Sequence, residues 1–494
     1  MISRGGLPLK HLLKTTIQRR LSIIGILRDF YDWQDPQLLA DLLDCSTKTI
    51  LSDIEAINHD WQDKIGIEYS RTKGIRLDDS LHNKIRPLAA DIMEESESFQ
   101  FLERVFFRPN EDADYWINEL YISEATFYRM VRQIDDVMEK RGLRLERKPF
   151  RITADDERWV RIFYVHLFLE KYGLSEWPFD LEKDKIITFV HRSSEAFDIM
   201  MNDRDTMEYS FLLSIIIIRC SQGLIMSNPT IKEPDEEILA KLKDLYTYAE
   251  ATVENSDYVV TKTWYQEVIH SLFYDYFLTN KKETYDQVCT GIESFLEQLV
   301  STFKIPLEEL NQKHLTQKML RIYRGYYIYP YSRAMLFNEA AFFSRSAQHY
   351  YPHFARTVQQ QLIDLEREMA FPWFSQFYFL VLRCLFIEWG QLAHYLDVLS
   401  PKVKILIVSD SGRRHGEMLS ELIQSRFYYR VEITVYDESV LHLTPEKMEA
   451  FDVYDLVISN YSLKQYPYSN LQIVDDFLTE VDFSIVNSVI KQIR

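Results

Sequence analysis

The feature that most constrains this chain is a duplication in its N-terminal third. Advance the frame by 77 residues and Leu43 falls on Leu120, Ser46 on Ser123, Ile50 on Phe127, Ile54 on Val131, Ile57 on Ile134 and Ile75 on Ile152. Each copy places a Ser where a helix cap should stand and apolar residues at helical spacing behind it. Cap and stripe recurring together describe one supersecondary unit used twice.

In the first copy, residues 39–58 read as two short helices joined by a tight turn, the second opening at Ser46. Leu39, Leu42 and Leu43 form one buried stripe; Ile50, Ile54 and Ile57 form another. Between them Thr47, Lys48, Thr49 and Ser52 point outward, small or cationic and able to hydrogen-bond. That suits a helix-turn-helix whose second helix enters a major groove, with an ordinary helical hairpin as the plain alternative. Residues 67–70, a basic turn at 71–74 and residues 75–77 then read as a β-hairpin, with Gly74 supplying positive φ. A hairpin after a recognition helix makes a winged helix, whose Arg71 and Lys73 can reach phosphates. The second copy offers Ala125, Thr126, Arg129 and Arg132 outward, and a wing over 142–152 with Arg144, Arg147, Lys148 and Arg151. Residues 129–151 hold eight basic and four acidic side chains.

A chain of 494 residues exceeds one core and implies about three to five domains. With 46% hydrophobic residues, 13 Gly and 15 Pro, it reads as well folded and mainly helical. A net charge of −18 argues at first against a nucleic-acid partner. Distribution matters more than the sum, because phosphates are felt within a Debye length of about 8 Å. Residues 1–28 carry six Lys or Arg and no acid, whereas residues 162–401 carry 22 basic and 32 acidic side chains. Four scattered cysteines without a CxxC pair read as reduced thiols of a cytoplasmic protein. There is no signal-peptide pattern, and the apolar run 211–226 is interrupted and shorter than the ~20 residues of a membrane span.

The middle reads as two sets of helices. The first runs over 155–172, 184–202, 205–226, 233–254 and 258–278; the second over 285–303, 306–327, 333–350, 353–369 and 373–396. His349 and His353 stand four apart, but Pro352 lies between them and no further ligand completes a zinc set. His166 reads as a core histidine, and the aromatic run 323–331 as core and interface. From residue 401 the period changes to strand 403–409, loop 410–416, helix 417–426, strand 431–435, helix 445–450 and strand 456–459. That is a parallel α/β domain whose loop faces a helix N-terminus, where anions bind. A packing or dimerisation domain is the neutral reading, and a Walker loop is excluded because GK[ST] is missing.

The order of these parts resembles the Mga/AtxA family of bacterial virulence regulators over essentially the whole chain. The resemblance rests on residues 39–58, on Lys148-Pro149-Phe150, on Trp177-Pro178-Phe179, on residues 405–412 and on residues 455–460. It implies winged helices at 1–80 and 81–156, and PRD-like (phosphotransferase-system regulation domain) helical bundles at 157–280 and 281–398. An EIIB-like α/β domain follows at 399–494. It further implies a cytoplasmic transcriptional regulator of promoter DNA, a homodimer formed through the C-terminal half, and control by phosphocarrier proteins in response to carbohydrate. Two departures stand out. Ser409 occupies the place of the phosphoryl-accepting cysteine of EIIB proteins, and serine is the poorer nucleophile. Met207 and Phe386 stand where relatives carry regulatory histidines, which leaves His191, His270, His349, His353 and His394 as phosphorylation candidates.

The expected DNA contacts are therefore Thr47, Lys48, Thr49, Ser52, Arg71 and Lys73 in the first head, and Thr126, Arg129, Arg132, Arg144, Arg147 and Lys148 in the second. The basic N-terminus would add phosphate contacts. Few of these side chains read bases bidentately, so weak consensus and reliance on DNA shape are expected. No enzyme activity, cofactor, metal or membrane is implied. The alternatives are a phosphotransferase-system component acting through Ser409, or an RNA-binding antiterminator.

Overall fold

The structure, a computed structural model, describes residues 9–30, 33–78, 85–226, 236–259, 267–268, 282–399 and 401–493. The chain divides into two compact units: Met1–Cys289 with Gln317–Phe342, and Thr290–Thr316 with Phe343–Arg494.

The first unit opens with a 3-10 turn, Leu9–Leu12, and helix α1, Thr15–Asp29. Helices α2 (Pro36–Leu42) and α3 (Thr47–Asp60) and strands β1 (Ile67–Ser70) and β2 (Gly74–Leu77) make the first winged helix. Gln34 bridges to Ile75 beside β2, and a Cβ at Gly74 would lie 2.2 Å from the Gln34 carbonyl oxygen. With φ at +103°, the position admits only glycine. The stripe expected on α2 is narrower than the sequence suggests: Leu39 is buried, Leu43 half-buried, and Leu42 is 57% exposed.

Helices α4 (Ile85–Glu95) and α5 (Glu97–Phe107) lead into α6 (Ala113–Glu119), α7 (Glu124–Glu139), β3 (Leu143–Arg147) and β4 (Phe150–Ala154), the second winged helix. The helices that follow are α8 (Glu157–Tyr172), α9 (Lys183–Ala196), α10 (Asp203–Ser221) and α11 (Glu236–Thr252). The expected helix over 258–278 lies largely outside the described residues. One continuous core runs from Leu9 through both winged helices and α8–α11 to Phe337.

Helices α12 (Lys282–Phe303), α13 (Glu309–Ile328), α14 (Glu339–Tyr350) and α15 (Pro352–Met369) follow. Helix α14 starts later than expected, because the N–H groups of residues 335–337 are taken by the Glu170 carboxylate. The helix expected over 373–396 is two, α16 (Tyr378–Glu388) and α17 (Leu392–Leu399). Gly390 lies against Asn311 and Gln391 takes φ +61°, which breaks the helical ladder between them. Pro352 opens α15, so His349 and His353 stand on different helices.

The final domain is a four-stranded parallel sheet in the order β6-β5-β7-β8, from β5 (Val403–Val408), β6 (Val431–Val435), β7 (Leu456–Ser459) and β8 (Leu471–Ile473). Helices α18 (Arg413–Phe427), α19 (Pro445–Glu449) and α20 (Glu480–Ile493) accompany it. Alternate β5 residues feed opposite faces: Ile405 and Ile407 meet Leu419, Ile423 and Val486, while Leu406 and Val408 meet Met448, Phe451 and Val457. Helix α18 begins four residues before the expected Glu417, absorbing half of the expected loop. Strand β8 and helix α20 were not anticipated, since β8 is three residues long and mostly polar in its surroundings. Among the described residues no helix is long and apolar enough to cross a membrane.

Candidate nucleic-acid interface

Both recognition helices are built alike. The Ser46 hydroxyl accepts from the Thr49 N–H at 3.1 Å, and the Ser123 hydroxyl from the Thr126 N–H at 3.2 Å. In each cap the two hydroxyls also hydrogen-bond, at 2.9 Å. Ile50, Ile54, Ile57 and their counterparts Phe127, Val131, Ile134 are all buried. Helix and wing are tied by equivalent residues that the stripe pattern does not reveal. Asn58 donates to the Ile67 carbonyl and accepts from its N–H, both at 2.8 Å; Asp135, 77 residues on, accepts from the Leu145 N–H. A polar residue recurring at the same frame position was the available signal.

The expected contacts divide by what already holds them. Thr49 and Thr126 spend their hydroxyls in the caps, and Thr47 donates to Gln37 at 2.6 Å. Lys48 and Ser52 on α3 and Arg129 and Arg132 on α7 are exposed. Arg71, Lys73 and Lys148 are exposed at the wing tips, Lys73 lying 5.9 Å from the Trp33 ring. Arg144 pairs with Asp155 at 2.6 Å, Arg147 with Asp135 at 2.8 Å and Arg151 with Glu146 at 2.5 Å. Arg141, one of the eight bases of the second head, is fully buried and donates to the carbonyls of Ser332 and Ala334. Among the described residues, the expected contacts that are exposed cations outside any ion pair are thus Lys48, Arg71 and Lys73 in the first head and Arg129, Arg132 and Lys148 in the second.

Part of the basic N-terminus is taken up by internal ion pairs. Lys14 pairs with Glu97, Arg19 with the buried Asp53 of α3, and Arg20 with Asp53 and Asp60. In the second head the position of Asp53 is Met130, which is buried among apolar residues. The heads also differ in charge: residues 52–74 hold three bases and five acids, against eight and four over 129–151.

The second head is stitched to the helices behind it. Arg219 of α10 clasps Glu157 with two hydrogen bonds of 2.7 Å and donates to the Ile152 carbonyl of β4. Trp159 donates to the Ile328 carbonyl at 2.6 Å. The Glu170 carboxylate accepts from the N–H groups of Met335, Leu336 and Phe337 at 2.8–2.9 Å. Burial pushes Glu170 up to about 7 against those three donors, which favour the charged form. His166 is half-buried by its surface yet enclosed enough that burial lowers it to about 3, helped by Arg333, Arg204 and Arg321; it is neutral. Burial alone would raise the neighbouring Glu208, but Arg321, His166, Arg333 and Arg204 hold it down at about 2.

Of the candidate phosphorylation sites, His191, His353 and His394 are exposed, His349 is half-buried, and His270 lies outside the described residues. Met207 is buried. The Ser409 hydroxyl lies 2.8 Å from His415 Nδ1, whose Nε2 faces the Asp476 carbonyl at 2.7 Å. Nε2 is therefore the protonated nitrogen, and Nδ1 accepts from Ser409. Ser409 is buried and also accepts from the Ser411 N–H.

The family model described as the Mga helix-turn-helix domain matches residues 82–168, which span α4 through most of α8. The chain is similar to a putative trans-acting regulator of Streptococcus pneumoniae serotype 4, 22% identical over 94% of this chain and 96% of the relative. It is also similar to the capsule synthesis positive regulators AcpB and AcpA of Bacillus anthracis. The identities are 27% and 26%, over 43% and 46% of this chain and 44% and 48% of those proteins.

Proposed function

From the premise that this chain belongs to the Mga/AtxA type of bacterial transcriptional regulators, we propose that it holds promoter DNA with both winged helices and leans on the second for affinity. The observation that carries this reading is the pair Arg129 and Arg132, two exposed arginines on a capped recognition helix that make no ion pair among the described residues. Arg is the side chain best suited to guanine edges and phosphates. The first head, with a net acidic window, contributes register more than attraction. Base consensus is weak because few exposed groups on either helix read bases bidentately, and DNA shape supplies the rest.

In the same reading residues 157–280 and 281–398 are PRD-like bundles, 399–494 is an EIIB-like domain, and two copies pair through the C-terminal half in the bacterial cytoplasm. Phosphocarrier proteins act on exposed histidines, His191, His353 and His394 before His349. The clasp from Arg219 to Ile152 gives the bundle a route to the wing. Ser409 serves binding or packing rather than phosphoryl transfer, because its hydroxyl is enclosed and bonded on both sides.

A mobility-shift titration of the full chain on duplex DNA at two salt concentrations, with mass measured in parallel, tests this. Binding as a dimer with a steep fall in affinity at the higher salt is expected. Preference for hairpin RNA over duplex DNA would sink the reading.

A further inference from the structure

The turn of the second helix-turn-helix carries a tyrosine where the backbone asks for glycine. Helix α6 ends in a Schellman arrangement: the Ile122 N–H bonds the Ile117 carbonyl and the Tyr121 N–H bonds the Asn118 carbonyl, both at 3.3 Å. That motif puts the residue after the C-cap in the left-handed region, and Tyr121 has φ +52°. The first head makes the same turn at Asp44, φ +49°, with the Cys45 N–H on the Ala40 carbonyl. Asp tolerates this conformation through its short polar side chain; a bulky aromatic does not.

Nothing among the described residues compensates. Tyr121 is 95% exposed, so its ring buries almost no surface, and its hydroxyl has no hydrogen-bond partner among the described residues. A strained backbone and an aromatic in water, with no return in packing, indicate a role outside the folded subunit. The location supplies the partner. Tyr121 lies two residues before Ser123, the cap of α7. A recognition helix that meets base edges with its N-terminal residues brings the preceding turn to the rim of the groove, where a phosphate strand passes. Tyrosine is among the side chains that donate to phosphate oxygens, and its ring can lie against a deoxyribose.

We propose that Tyr121 is a positioning residue for DNA, its phenol donating to a backbone phosphate and its ring covering the adjoining sugar at the edge of the groove read by α7. The inference rests on the DNA-binding reading above and assigns a residue that the basic pattern cannot reveal. The contact is neutral, so it releases no counterion and leaves no trace in the salt dependence.

The test uses the full chain and duplex DNA over a salt series. Tyr121→Gly relieves the backbone and should melt no lower than wild type. Its affinity should fall about tenfold, and that of Tyr121→Phe about threefold, sizes suited to one lost hydrogen bond with or without the ring. The slope of log affinity against log salt should stay at the wild-type value in both, whereas Arg129→Ala should lower it by about 0.9. Wild-type affinity in Tyr121→Gly alongside weakened binding in Arg129→Ala overturns the tyrosine assignment alone. Unchanged binding in both overturns the DNA-binding reading of this helix. Full affinity in Tyr121→Phe overturns the phosphate hydrogen bond.

Discussion

The two winged helices share their caps, buried stripes and even the left-handed residue in the turn, yet they are fastened and charged differently. In the first, α3 is anchored by Asp53, buried and gripped by Arg19 and Arg20; in the second, the same position is Met130 in an apolar core. The first spends Arg19 and Arg20 on internal pairs and presents one cation, Lys48, on its recognition helix; the second presents two there, Arg129 and Arg132, outside any ion pair among the described residues. Duplication evidently preserved what folds the module and left free what the module touches. Affinity and register can then be assigned to different copies of one scaffold.

The largest expected effect tests that division. Arg129→Ala with Arg132→Ala should weaken duplex binding about 100-fold or more, at roughly 1–3 kcal/mol for each lost bidentate contact. Lys48→Ala with Ser52→Ala should cost less than about tenfold, since only one cation is lost. Equal losses in the two double variants, read by titration at one salt concentration, would erase the distinction between the heads.

Next in size is the anchoring. Asp53→Ala removes the acid between two partly buried arginines and should destabilise the first head by about 3 kcal/mol in urea unfolding. Met130→Ala should cost a similar amount, about 2–5 kcal/mol, through a cavity instead. The separating observation is salt: the Asp53 effect should shrink in high salt and the Met130 effect should not.

A third contrast concerns pH. Glu170, beneath the second head, titrates near 7 when folded, above the usual carboxylate range. Between those two values the folded chain binds the extra proton, so this group's contribution to stability falls as pH rises and levels off above about 7. Melting temperatures from pH 5 to 8 should show that decline in wild type and a flatter course in Glu170→Gln. An identical course in both would place the titration elsewhere.

The smallest effect belongs to the wings. The second wing is richer in arginine, but Arg144 and Arg147 already face Asp155 and Asp135. Replacing both with Ala should change DNA affinity by less than about twofold, as exposed pairs of this kind contribute little. Arg71→Ala in the poorer wing should cost a few-fold.

The sequence made the duplicated module legible because a fixed 77-residue offset ties cap, stripe and wing together, and each of those residues is where the offset puts it. Charge was legible only as a sum. The eight bases of the second head include a buried Arg141 and three arginines in ion pairs, and no periodicity distinguishes those from Arg129 and Arg132. The break at Gly390 and the non-helical run before Glu339 are hidden for a related reason. Each is decided by partners far along the chain (Asn311 beside Gly390, Glu170 beneath 335–337) rather than by local pattern. Tyr121 carries no signal in the sequence, because an exposed tyrosine in a turn is ordinary and only its φ sets it apart.

The return of Gln317–Phe342 into the first unit sets an order on synthesis. As the chain leaves the ribosome, both winged helices emerge long before the segment that receives Arg141, Trp159 and Glu170. Until residue 342 is made, the buried guanidinium of Arg141 in the second head and the carboxylate of Glu170 on α8 wait without their partners. A fragment ending near residue 289 would carry every proposed DNA contact and still lack the last piece of its own interior, so a piece expected to fold by itself includes that later stretch.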